Sequence, residues 1–133
     1  MIRNVDHIGI AVKELEPQVI FYRDILGLKF LGYEDLPDRH LKVAVFDAGN
    51  VHLELLYPTS NESTVAKFIE RNGEGIHHIA FKSKNAQSTL DRLKENGIRL
   101  IDETPKPGAG GSQVAFMHPK STFRVLMEIC EHD

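Results

Sequence analysis

Two histidines and two glutamates recur at matching places in this chain of 133 residues. The stretch VDHIGIAV, from Val5, returns as IHHIAFKS, from Ile76, and sets His7 opposite His78. VHLELL, from Val51, returns as VLMEIC, from Val125, and sets Glu54 opposite Glu128. Two imidazoles with two carboxylates are borderline-to-hard donors. They suit one divalent ion per chain, zinc, cobalt, nickel, manganese or iron, better than calcium or copper(I), and the donor types leave the choice among those metals open.

The neighbours of the four residues strengthen this reading. Alternation puts Gly9 beside His7 and Ala80 beside His78 on one strand face, leaving space where a packing face would carry bulk. Glu54 stands between Leu53 and Leu55, and Glu128 between Met127 and Ile129. A carboxylate buried in such a strand is costly unless something cationic meets it. The competing reading turns both glutamates to solvent from a half-exposed sheet. Duplication favours the metal, because each glutamate stands in the same relation to a cavity-facing histidine.

The elements that would hold these groups also come twice. In the first half a strand is predicted over about 4–12, with Ile8, Ile10 and Val12 on the face away from His7. A helix follows over about 14–26, its inward stripe Leu15, Val19, Tyr22 and Leu26, with Pro17 in the first turn and Gly27 as the stop. Strands are then predicted near 28–34, 41–48 and 51–57. A connector with a short helix over about 63–71 leads to a second half of the same order. That half has a strand near 76–83, a helix near 85–96, and strands near 98–104, 112–117 and 124–131. The expectation is an α+β fold of two tandem β-α-β-β-β modules in one domain over 1–133. Module one covers about 1–60, the connector about 58–75 and module two about 76–133.

Composition excludes several function classes. With 41% hydrophobic and 26% charged residues the chain reads as an ordinary globular protein. Its sixteen basic residues are interspersed with nineteen acidic ones for a net charge of −3, so no basic block favours nucleic acid. No apolar run approaches the roughly 20 residues that span a bilayer, and no signal-peptide core opens the chain; a cytoplasmic location is expected. Cys130, the single cysteine, reads as a packed thiol in VLMEIC. Among the other histidines, His77 points away from His78 by alternation, and His52 shares the face of Glu54. His40, His118 and His132 fall in turns or termini and read as solvated. The glycine-rich PKPGAGG, Pro105 to Gly111, precedes a strand rather than opening a helix, so it is no phosphate loop. It reads as a flexible turn over a ligand.

The motifs DHIGIAV, HLELLYP, GIHHIAF and VLMEI together resemble the vicinal oxygen chelate superfamily (glyoxalase, bleomycin resistance and dioxygenase proteins), across essentially the whole chain. The resemblance implies two modules whose sheets curve into an incomplete eight-stranded barrel around a metal. Its ligands would be His7, Glu54, His78 and Glu128. Within the superfamily the segment from Gly108 to Ile129 is similar to methylmalonyl-CoA epimerases. That likeness implies proton transfer next to a metal-polarised acyl-CoA thioester, with Glu128 and Asp38 as the two acid/base groups, in a homodimer. Two places depart from the epimerase pattern. Asp38-Arg39-His40 stands where Glu-Gln-Gly is common, and Phe123-Arg124 where Gly-Gly is common. A lactoylglutathione lyase acting on a glutathione hemithioacetal is the first alternative, and a metal-free small-molecule binding protein the next. An iron dioxygenase fits less well, since its two-histidine, one-carboxylate triad would leave Glu54 without a role.

Overall fold

The computed structural model describes residues 1–133. Its elements are β1 Ile2–Ala11, α1 Leu15–Ile20, β2 Lys29–Leu36, β3 Leu41–Asp47, β4 His52–Pro58 and α2 Thr64–Asn72, then β5 Gly75–Ser83, α3 Ala86–Glu95, β6 Lys106–Pro107, β7 Gln113–Met117 and β8 Met127–Glu131. The fold is mixed α+β, and no helix is long and apolar enough to cross a membrane. The chain divides into two compact units, one of His7–His77 and one of His78–Asp133 together with Met1–Asp6.

In the first unit the strand order is β2-β3-β4-β1, antiparallel except for the parallel β4–β1 pair. Register sets His7 beside His52 and Gly9 beside Glu54, with Val45 on the other side of Glu54. The two sheet faces bury different partners. Phe46, Ala44 and Leu55 pack with Val12 and with Val19 of α1. On the opposite face, which carries His7 and Glu54, Ala11, Leu41, Val43 and Leu56 pack with Val65 of α2. Helix α2 therefore closes one end of that face. Its start is fixed by Ser63, whose hydroxyl oxygen accepts hydrogen bonds from the Val65 and Ala66 amides at 3.0 and 3.4 Å.

The expected helix over 14–26 is shorter and changes pitch. After Ile20 the chain runs as one π-helical stretch, Phe21–Ile25, in which the Leu26 amide bonds back to the Phe21 carbonyl at 3.0 Å. Such widening inserts an extra residue and turns the side chains beyond it by ~100° about the helix axis. Leu26 is consequently half exposed rather than part of the inward stripe, whereas Tyr22 keeps its place against Phe46.

The second unit contains the order β5-β8-β7-β6, with β5 and β8 parallel. Ala80 lies beside Glu128, and Phe116 lies on the other side of Glu128, repeating the Gly9, Glu54, Val45 row. Leu90 and Ala86 of α3 pack against Ala115, Met117 and Ile129 on the face away from Glu128. Helix α3 is capped by the Asn85 side chain, which accepts from the Ser88 amide at 2.9 Å. The strand expected over 98–104 does not form beyond a single bridge, Leu100 to Met117. A side chain interrupts the ladder. The Asp102 carboxylate accepts the Phe116 amide at 2.9 Å, the bond a neighbouring strand would otherwise receive.

Candidate metal and acid/base site

Each unit presents one histidine and one glutamate on the same strand face, with the ring and carboxylate in ion-pair range. His7 Nδ1 is 3.4 Å from Glu54 Oε2, and His78 Nε2 is 3.9 Å from Glu128 Oε1. His7, His78 and Glu128 are buried, and the Glu54 side chain is nearly so. Parallel pairing explains the proximity, because β1 with β4, and β5 with β8, set the histidine one step from the glutamate on the adjoining strand. Small residues, Gly9 and Ala80, flank the carboxylates on that strand, so nothing bulky separates the two groups.

The chemistry of this donor set fits a divalent ion. Burying two carboxylates in apolar strands is expensive unless a cation repays the desolvation. Imidazole and carboxylate are the donors that zinc, cobalt, nickel and manganese accept. The ring of Phe116 meets His78 edge-on at 5.3 Å between centroids, and Lys106 Nζ lies 5.3 Å from the centroid of Phe116. Packing thus fixes the orientation of His78. The glycine-rich segment, expected as a flexible turn over a ligand, contains a 3-10 turn at Ala109–Gly111: Ser112 Oγ donates to the Ala109 carbonyl at 2.7 Å, and the Gly108 amide donates to the Ser112 carbonyl at 3.0 Å. Gly108 is required there, since a Cβ would come within 2.7 Å of Val114.

The remaining sequence-predicted residues lie apart from the buried pairs. Asp38 is exposed on a single 3-10 turn, Pro37–Arg39, between β2 and β3. Leu41, where β3 begins, is four residues from Val45 of the Glu54 row, about 13 Å along a strand. His52 is exposed at the start of β4. Phe123 and Arg124 both take left-handed backbone, at φ 55 and 72, a conformation that costs non-glycine residues roughly 1–2 kcal/mol each. The loop therefore keeps a glycine-type path, and Phe123 projects into solvent, 94% exposed, rather than filling the site.

Two histidines behave otherwise than their positions suggest. His77 is packed edge-on against Phe68 of α2 at 5.0 Å. Burial, with a smaller contribution from the Arg39 charge, pulls its pKa down to about 4. His132, expected to be solvated, has Nε2 at 2.5 Å from Asp6 Oδ1, and that hydrogen bond raises its pKa. Neither was legible from spacing, because both depend on which distant element arrives beside them. Cys130 is buried, as its apolar surroundings imply.

Comparison with known proteins adds to this geometry. A model of the Glyoxalase/Bleomycin resistance protein/Dioxygenase superfamily matches residues 6–116. The chain is 42% identical over 127 residues to the uncharacterized protein YqjC of Bacillus subtilis, covering 96% of this chain and 91% of that one. It is 38% identical over 131 residues to an ethylmalonyl-CoA/methylmalonyl-CoA epimerase of Cereibacter sphaeroides, covering 97% and 98%. A solved methylmalonyl-CoA epimerase, in complex with methylmalonyl-CoA and NH4+, superposes with a TM-score of 0.92 at 34% identity, covering 98% of this chain and 95% of that one.

Proposed function

This chain belongs to the glyoxalase/bleomycin resistance protein/dioxygenase superfamily, and from that footing we propose that it epimerises methylmalonyl-CoA or a closely similar acyl-CoA. It is an enzyme of the epimerase type. The observation that carries the reading is the buried His78–Glu128 pair, which places a carboxylate base beside a fixed imidazole in a water-poor environment.

His7, Glu54, His78 and Glu128 would hold one divalent ion, which when bound draws electron density from the thioester oxygen and makes the adjacent C–H more acidic. Glu128 takes the α-proton from one face of the substrate through a carboxylate oxygen. We assign delivery of a proton to the opposite face, with inversion of configuration, to Asp38 on the strength of the epimerase likeness alone, since its turn lies apart from the buried pairs. The two groups exchange roles in the reverse direction. Burial favours a selective base at Glu128 by excluding water that would compete for the proton. Exposure suits Asp38 differently, since its proton is renewed from solvent. No covalent intermediate is needed, and no nucleophile paired with a base is called upon.

Metal-reconstituted protein incubated with methylmalonyl-CoA in deuterated water tests this reading. The α-hydrogen should exchange while the two epimers interconvert. Absence of exchange, together with turnover of a glutathione hemithioacetal by the same preparation, would replace the epimerase with the lactoylglutathione lyase reading.

A further inference from the structure

The face of β8 that carries Glu128 continues through Cys130 to His132, and Asp6 meets its end. Sγ of Cys130, a ring nitrogen of His132 and a carboxylate oxygen of Asp6 all lie within 4.8 Å of one another. We propose that these three residues form a second cation site for a thiophilic divalent ion such as zinc or cobalt(II), with the Cys130 sulfur also within 4.8 Å of a Glu128 carboxylate oxygen. The proposal goes beyond the epimerase reading and does not depend on it.

Donor type and spacing carry the argument. Thiolate, imidazole and carboxylate are the three protein donors of zinc, at about 2.0–2.3 Å from the ion, which sets neighbouring donors about 3.3–3.8 Å apart in a tetrahedron. Closing the present triangle onto an ion therefore takes side-chain adjustments of about 1 Å. His132 is already oriented for ligation. Its Nδ1 lies 2.9 Å from the Asp133 main-chain oxygen, and its Nε2 is hydrogen-bonded to Asp6 at 2.5 Å, so an ion binding between the two would take the place of the proton they share. A ring nitrogen held by a backbone carbonyl is the usual support of a metal-bound histidine. Cys130 is held between Ala80 and Val114, so its sulfur sits in a fixed position.

The surroundings define what such a site would look like. A cavity of about 770 Å³, bordered by His132, Arg3, Lys82 and Lys84, gives solvent a path to the imidazole. Three ligands leave one tetrahedral position open. The lysines and the arginine oppose a bare cation, and the deprotonated thiolate and carboxylate together offset the charge of a divalent ion. Water or a small anion would complete the coordination.

Titration of the full-length, metal-stripped protein with cobalt(II), followed by the near-ultraviolet thiolate-to-cobalt charge-transfer band, tests the proposal. The wild type should develop the band. Cys130→Ser should lack it, and His132→Ala, a change near the exposed chain end, should raise the cobalt dissociation constant read from it at least tenfold. His7→Ala and Glu128→Gln should keep the band. Its absence in the wild type, or its survival unweakened in His132→Ala, would overturn the proposal. Loss of the band in His7→Ala or Glu128→Gln would also overturn it, by assigning the thiolate to the other ligand set.

Discussion

Replacing Glu128 by leucine separates a functional carboxylate from a structural one. Glu128 is 2% exposed and lies 3.9 Å from the His78 imidazole. If the two formed an ion pair whose purpose was to hold the fold, removing one partner would cost about 3–5 kcal/mol, the usual penalty for stranding a buried charge. If the carboxylate is there for a metal and a proton, the metal-free protein carries its desolvation at a loss. Histidine can stay neutral once its neighbour is gone, and leucine has nearly the volume of glutamate. The apolar replacement should then leave the metal-free protein unchanged or more stable by about 1–4 kcal/mol. At roughly 2–4 °C per kcal/mol for a domain of this size, the melting temperature should hold or rise. Urea unfolding of chelator-treated protein at neutral pH, with an unaltered m value, measures the difference. Adding metal should shift the balance toward the wild type by about 2.7 kcal/mol, since a site filled at a hundred times its dissociation constant stabilises only the wild type. Epimerisation by the variant should fall by roughly 10²–10⁴. A Glu128→Leu protein destabilised by 3 kcal/mol or more without metal would refute the reasoning.

Three further outcomes are expected. Purified protein should carry about one tightly held divalent ion contributed by the His7, Glu54, His78 and Glu128 set, and His7→Ala and Glu128→Ala should each lose it by elemental analysis; full retention in both would remove the ligand set. Asp38→Asn should retain that metal and its fold, because the residue is exposed, yet lose epimerisation by roughly 10²-fold or more. Unchanged turnover would take Asp38 out of the mechanism. His77, with its pKa depressed to about 4 in the folded chain against about 6.5 unfolded, binds a proton more readily when unfolded. Stability should therefore be complete above pH ~6.5 and fall as the pH drops toward 4, by up to about 3 kcal/mol. His77→Leu should flatten that dependence in denaturation curves taken across the window.

The elements legible in the sequence were those with a clean local period. Strand alternation around His7 and His78 separated the two faces correctly, because Ile10 and Val12 join the α1 side while Ala11 joins the other. The glycine and serine punctuation placed α2 within a residue of its observed start. What failed was non-local. Nothing in residues 98–104 reveals that the Asp102 carboxylate will take the amide of Phe116 and end the ladder after Leu100. The stripe through Leu26 assumed uniform α pitch, and the single turn of π-helix after Ile20 broke it.

Duplication made the candidate site readable although most of its geometry is long-range. A single strand histidine says little, since most are hydrogen-bonded core residues. Two that recur with a small residue two places on, each matched to a glutamate in a later strand, constrain register. Parallel pairing must then bring His to Glu in both copies or in neither. The structure shows both, with Gly9 beside Glu54 and Ala80 beside Glu128. The catalytic assignment of Asp38 has no such internal check, because its turn between β2 and β3 is not matched by a carboxylate in the second copy's shortened β6 hairpin. The ligand set therefore rests on a repeat that checks itself, whereas Asp38 rests on a segment where the two copies diverge, and the Asp38→Asn variant supplies the check that the repeat does not.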